Sequence, residues 1–116
     1  MTNTDPCQKL TIAEALNRLP GPQAERSVGV FEHGSLVVKL YAPRGVDDQT
    51  PHSRDEIYVV AQGAGEFVWG GTRQTIAVHD VLFAAAGVEH RFENFSDDFA
   101  VWVFFYGPEG GEVDRS

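Results

Sequence analysis

One cysteine, Cys7, is all the thiol this chain contains. It cannot close an internal disulfide, so the fold draws nothing from crosslinks and nothing points to an oxidising compartment. Positive charge is scarce: 9 Lys and Arg stand against 17 Asp and Glu, a formal charge of -8. Nucleic acids and anionic membrane surfaces both reward clustered cations, so neither is expected as a partner. Long hydrophobic runs are missing as well. The longest, FAVWVFFY at Phe99–Tyr106, falls far short of the roughly 20 residues that cross a bilayer as a helix. The opening MTNTDPCQKLTIAEAL has no cationic stretch leading into an apolar one. No secretory leader is expected from it, and the reading is a cytoplasmic protein. There is no nucleophile elbow, phosphate loop or dinucleotide fingerprint to argue for hydrolase, nucleotide or NAD chemistry.

What is present suits one domain. A chain of 116 residues can bury a single core without staples. Residues 1–24 read as an arm, polar and disordered over 1–9, followed by a short helix. In TIAEALNRLPG, Ile12, Ala15, Leu16 and Leu19 recur at helical spacing, Thr11 and Glu14 form a capping box, and Pro20-Gly21 ends the element. Residues 25–108 then switch to period two. SVGVFEHGSLVVKLYAP reads as two strands joined around Glu32-His33-Gly34, and EIYVVAQG as a strand ending at Gly63. GEFVWGGTRQTIAV reads as a hairpin turning at Gly70-Gly71, and DVLFAAAG as a strand ending at Gly87. EHRFENFSDDFAVWVFFYGP is expected to be a hairpin turning near Ser96-Asp97-Asp98. Residues 109–116 are a polar tail. About seven short strands at regular spacing give an all-β sandwich or barrel. FAVWVFFY is apolar on both faces, so its outer face should be covered by the helix or by a second subunit, which makes a homodimer an expectation.

The densest set of ionisable groups, TPHSRDE at Thr50–Glu56, runs straight into the apolar IYVV. On one continuous strand His52 and Glu56 would lie roughly 13 Å apart, at about 3.3 Å per residue. Two ligands of one metal ion each lie about 2 Å from it. The two side chains converge only if the chain turns between them. The reading therefore ends one strand at His52, turns through Ser53-Arg54-Asp55 with Arg54 and Asp55 left in water, and begins the next strand at Glu56. A second cluster, HDVLFAAAGVEHRFEN, turns at Gly87 and opens a strand at His90, on one face with Phe92. Tyr58 shares the face of Glu56. With Phe67, Trp69, Phe83, Trp102 and Phe104, the residues Tyr58 and Phe92 are expected in the core, and Tyr58, Phe92 and Thr50 are the candidates to line a pocket. His33 and His79 read as solvated turn residues.

These two clusters resemble the paired motifs of small single-domain cupins. The first family motif is Gly, five residues, His-x-His, three or four residues, Glu, six residues, Gly. Here it reads Gly45, Thr50-Pro51-His52, Glu56 and Gly63. The second is Gly, five residues, Pro-x-Gly, two residues, His, three residues, Asn. Here it reads His79, Ala85-Ala86-Gly87, His90 and Asn94. The resemblance covers about residues 30–106 and implies a double-stranded β-helix, or jelly-roll, barrel. It also implies metal ligands at positions 50, 52, 56 and 90. Threonine is a poor ligand beside imidazole, so His52, Glu56 and His90 remain, a set suited to a divalent Fe, Zn, Mn, Ni or Co ion. Three functions stay open. One is a metal-dependent enzyme, of dioxygenase or isomerase type, acting on a small organic molecule. The second is a non-catalytic binder or sensor of a small ligand or metal. The third is a dimeric barrel with a vestigial site.

Overall fold

In the computed structural model, which describes residues 6–113, Thr11 caps the helix α1 (Ile12–Asn17) by accepting from the Glu14 amide at 3.2 Å. The expected disorder at 1–9 and the polar tail at 109–116 lie partly outside the described residues. Eight strands follow: β1 (Ser27–His33), β2 (Leu36–Tyr41), β3 (Asp55–Gln62), β4 (Ala64–Trp69), β5 (Thr72–Ala77), β6 (Val81–Ala84), β7 (His90–Glu93) and β8 (Ala100–Tyr106). They form two antiparallel sheets, β1-β2-β8-β3-β6 and β5-β4-β7, the jelly-roll architecture expected. The β1–β2 and β4–β5 hairpins turn where expected. Gly34 and Gly70 take φ of 59° and 52° there, a region closed to most side chains.

The registers decide which residues face inward. In the large sheet, Tyr58 lies level with Val103 and Leu82, and Val103 with Lys39. Side chains directly opposite share a face, so Glu56, Tyr58, Val60, Val101, Val103 and Lys39 point into the barrel. In the small sheet Phe67 pairs with Phe92 and Trp69 with His90. Tyr58, Val60, Phe67, Ile76, Phe92, Phe99, Val101 and Val103 form the core between the sheets. The outer side of the small sheet is a solvated, charged face on which Arg73 bridges Glu66 and Glu93.

Two expectations about connectivity fail. β7 and β8 are not a hairpin: β7 pairs with β4, while β8 lies between β2 and β3. The linking residues carry Phe95 and Phe99, which stack on each other as Phe99 is fully buried, and the Ser96 amide donates to Ala64 at 2.9 Å. A six-residue link anchored in the core crosses from sheet to sheet instead of turning back. Gly63 permits the crossing, because a Cβ there would meet Ser96 Oγ at 2.5 Å. Nor does a strand end at His52. Residues 45–54 are irregular apart from the bridge Arg44–Val46. Pro51 has no N–H for a ladder, and the Asp47 side chain, not a strand, binds the Gln49 amide at 3.1 Å.

The double-faced apolarity of β8 now has its reason: it is the central strand of the large sheet. Helix α1 covers part of the outer face, where Ala15, Leu16 and Leu19 pack with Leu40, Ala42, Ala100 and Trp102. The cover stops short of β6. Phe83, expected in the core, is 56% exposed, and Val81 is 67% exposed. Both lie on the outer face of an edge strand, level with Ile57 and Val59. No helix among the described residues is long and apolar enough to cross a membrane.

Candidate functional site

Glu56 is held from both sides, since β3 pairs with β8 and β6. Its inward side chain is 1% exposed. His90 opens β7 across the barrel at 3% exposure. Its Nδ1 lies 2.8 Å from the Val88 carbonyl, which can only accept, so Nδ1 carries a proton. Its Nε2 lies 2.8 Å from both Glu56 Oε1 and Tyr58 Oη.

The Nε2 proton follows from the neighbouring amide. Gln49 donates through Nε2 to Asp47 at 2.7 Å, which turns its carbonyl oxygen toward Tyr58. The Tyr58 hydroxyl donates to that oxygen at 3.1 Å, so it can only accept from His90. With both ring nitrogens placed to donate, the arrangement suits an imidazolium facing Glu56. Burial alone pulls His90 down. The hydrogen bonds to Glu56 and Val88 and the charges of Glu56 and Asp47 outweigh it and hold the imidazole above its usual range. Burial, and then the Glu56 charge, push the Tyr58 phenol far up, so it stays protonated. The second oxygen of Glu56, Oε2, is buried without a partner.

His52 stands apart. It comes from the irregular loop, its side chain is 37% exposed, and its Nε2 is 4.0 Å from Glu56 Oε1. Its ring meets Phe105 edge-on at 4.9 Å. The structure thus pairs Glu56 with His90 and leaves His52 one step outside. Among the described residues, no three His, Cys, Asp or Glu side chains stand close enough to hold a metal ion as placed.

A cavity of about 120 Å³ adjoins this centre. Tyr58, Glu56 and His52 line it with Val103 and Phe105. Thr50 is exposed and lies outside the lining. Phe92 is core, packed edge-on against Tyr58 at 5.0 Å. The loop instead contributes Gln49, one residue before Thr50, and the strands contribute Ser27, Lys39 and Tyr41. Sequence reasoning missed these and Asp47. Lys39 had a signal, as a charge that interrupts Leu36–Tyr41, but only the register shows that it faces in. Asp47 is 4% exposed and accepts from Tyr41 Oη at 2.5 Å, both nitrogens of Gln49, and the Phe92 amide at 2.8 Å. It ties the loop to both sheets.

Asp55 is not in water as expected. It is 5% exposed and accepts from the amides of Ala86 at 2.9 Å and Glu112 at 2.8 Å. It opens β3 one residue out of phase with Glu56, which aims it away from the cavity. The backbone bonds from Glu112 and Ala86 hold its carboxyl below the usual range. Arg54 is half-buried, and His33 and His79 are exposed.

The cupin domain model matches residues 37–106. The chain belongs to the cupin family. An uncharacterized protein from Streptomyces coelicolor is 38% identical over 100 residues, 79% of this cupin and 95% of the relative. Among solved structures, a cupin 2 conserved barrel domain protein from Salinispora arenicola aligns with a TM-score of 0.66 at 18% identity, covering 90% of this chain and 91% of its own. KdgF from Halomonas sp. aligns at 0.60 and 22% identity, covering 71% and 80%. At these identities the two structures speak for the fold alone.

Proposed function

We propose that this cupin holds a divalent metal ion on His52, Glu56 and His90 and binds a small organic molecule beside it in the barrel. The supporting observation is Glu56 Oε2, a buried carboxylate oxygen with no partner. Withdrawing such an oxygen from water costs on the order of several kcal/mol unless a cation answers it. The donor set fits: two imidazoles and a carboxylate suit Fe, Zn, Mn, Ni or Co. His90 is already fixed through Nδ1 by a backbone carbonyl, the usual support of a metal-bound imidazole.

Binding asks two things of the chain. His90 releases its Nε2 proton, and His52, the loop-borne and partly exposed member, closes on the carboxylate. Tyr58 keeps its hydroxyl on Gln49 throughout, and Val103 and Phe105 keep water from one side of the centre. The bound ion supplies Lewis acidity to a ligand oxygen, which suits dioxygenase or isomerase chemistry and equally a non-catalytic binder. The proposal includes pairing of two copies through the outer face at β6, where Val81 and Phe83 are exposed.

A second reading is supported by the 2.8 Å Glu56–His90 contact. In it the imidazolium itself answers the carboxylate, and the barrel binds a polar ligand without metal. Elemental analysis of protein purified without affinity-tag nickel, with calorimetric titration of Zn, Mn, Ni and Co, separates the two. The expected result is near-stoichiometric metal in the wild type and loss in Glu56→Gln. A folded wild type that neither retains nor takes up any of these ions overturns the metal reading.

A further inference from the structure

We infer that the ligand of this cavity is a small organic acid and that Lys39 is the residue that selects it. The inference rests on the reading of the barrel as a small-molecule site. It starts from a charge in an unusual place. Lys39 lies in the middle of β2, level with Val103 on one side and Gly29 on the other. That register puts an ammonium stem on the inner face, beside the core residue Val103. Its Nζ lies 6.0 Å from the centroid of the Phe105 ring, and Phe105 lines the same cavity.

The cavity leaves this cation unanswered. Among the described residues the ion pairs are His52 and His90 with Glu56, Arg73 with Glu66 and Glu93, and Arg91 with Glu89 and Glu93. Lys39 is in none of them, in a chain with 17 acidic residues. The other polar side chains of the lining are committed. Tyr41 donates to Asp47, Gln49 is held by Asp47 and Tyr58, and Tyr58 lies between Gln49 and His90. The groups left for a ligand are the Lys39 ammonium, the Ser27 hydroxyl and the Glu56 end of the cavity with His52. A carboxylate on Lys39, with a hydroxyl donating toward Glu56 or a carbonyl accepting from His52, uses both ends.

Space sets the size. A volume of about 120 Å³ equals about four waters and lies below the roughly 300 Å³ at which drug-sized sites begin. An acid of a few carbons fits. Gly29, opposite Lys39, borders open space, since a Cβ there would meet nothing within 4 Å. Lys39 and Ser27 also border a broader groove that carries one further cation, Arg18, and one carboxylate, Glu25.

The test titrates glycolate and pyruvate, and their neutral counterparts glycolamide and pyruvamide, into the full chain by heteronuclear NMR. It is done once metal-stripped and once with zinc added. The acids are expected to bind at least about tenfold more tightly than the amides, the gain of a charge-assisted contact. Lys39→Met should lose that preference and Lys39→Arg keep it, with zinc uptake and thermal midpoint unchanged in both. Acids binding Lys39→Met as tightly as the wild type, amides matching acids, or no acid binding in either state overturns the inference. The two readings fail separately. Lys39-dependent binding without zinc uptake sinks the metal and keeps the acid. Zinc uptake without acid preference does the reverse.

Discussion

The two halves of the site are built differently. Glu56 and His90 sit on paired strands, 1% and 3% exposed, and their backbones are fixed by the ladders on either side. Gln49 and His52 sit on an irregular loop tied to the barrel by the Asp47 carboxylate and by the His52 carbonyl, which accepts from the Gly87 amide at 2.8 Å. The difference teaches that placing a side chain by a strand takes many shared bonds, whereas placing it by a loop concentrates the duty on a few groups, Asp47 foremost. Damage should therefore be graded by anchoring and burial, not by closeness to the cavity.

The largest effect is expected at the anchor. Asp47→Ala leaves four donors without their acceptor, one of them, the Phe92 amide, fully buried, and should destabilise by about 3 kcal/mol or more. Urea unfolding checks this as a lowered midpoint at unchanged slope. A loss near that of an ordinary surface change would mean that the backbone bonds at His52 and Ser53 hold the loop without Asp47.

Asp55→Asn comes next, and its effect should depend on pH. The folded state lowers the Asp55 pKa. Its contribution is therefore full above the ordinary value, about 3.9, and disappears as pH falls through the folded value. Wild type should be the more stable protein from pH 5 upward, and the two curves should converge below about pH 4. Thermal melts across pH 2.5–7 decide it. A constant gap over that range would show that the side chain acts by shape alone.

His52→Ala should do little to stability, under about 1 kcal/mol, since it removes a partly exposed ring and one edge-on aromatic contact. Metal uptake should fall all the same. Equal uptake in the variant and the wild type would separate His52 from the centre.

Phe83→Ser sharpens the comparison from the other side, because Phe83 is strand-borne yet exposed. Stability of the single chain should change by no more than about 0.5 kcal/mol. The mass measured by light scattering should drop from dimer to monomer. A monomeric wild type removes the pairing proposal.

The sequence showed the strands well because each is bounded by a glycine or a polar turn and fills one face with apolar residues. The paired motifs around Glu56 and His90 were legible for the same reason: fixed spacing reflects fixed strands, whereas His52 lies on the irregular loop. What escaped was whatever depends on contacts between distant residues. Period two sorts Lys39 with Val37 and Tyr41, but it does not say which side is in. The crossing from β7 to β8 looked like a hairpin because Ser96-Asp97-Asp98 has turn chemistry; the burial of Phe99 decided otherwise. Thr50 drew attention as the place where a family histidine is missing, while Gln49 beside it carries the loop's side chain into the cavity. That choice is made by Asp47, whose partner Phe92 is far away in sequence.

The order of the large sheet has a consequence for synthesis. β8 is made after every other strand, yet it lies between β2 and β3. Until residues 100–106 leave the ribosome, the β1–β2 hairpin and the β3–β6 pair have no common neighbour. Each then offers an open, apolar edge of the kind that seeds aggregation. The small sheet can close earlier, since β4, β5 and β7 are complete by Glu93. The barrel is thus finished by its last strand, and a chain cut short before Ala100 should be a target for chaperones and proteases, not a partly working protein.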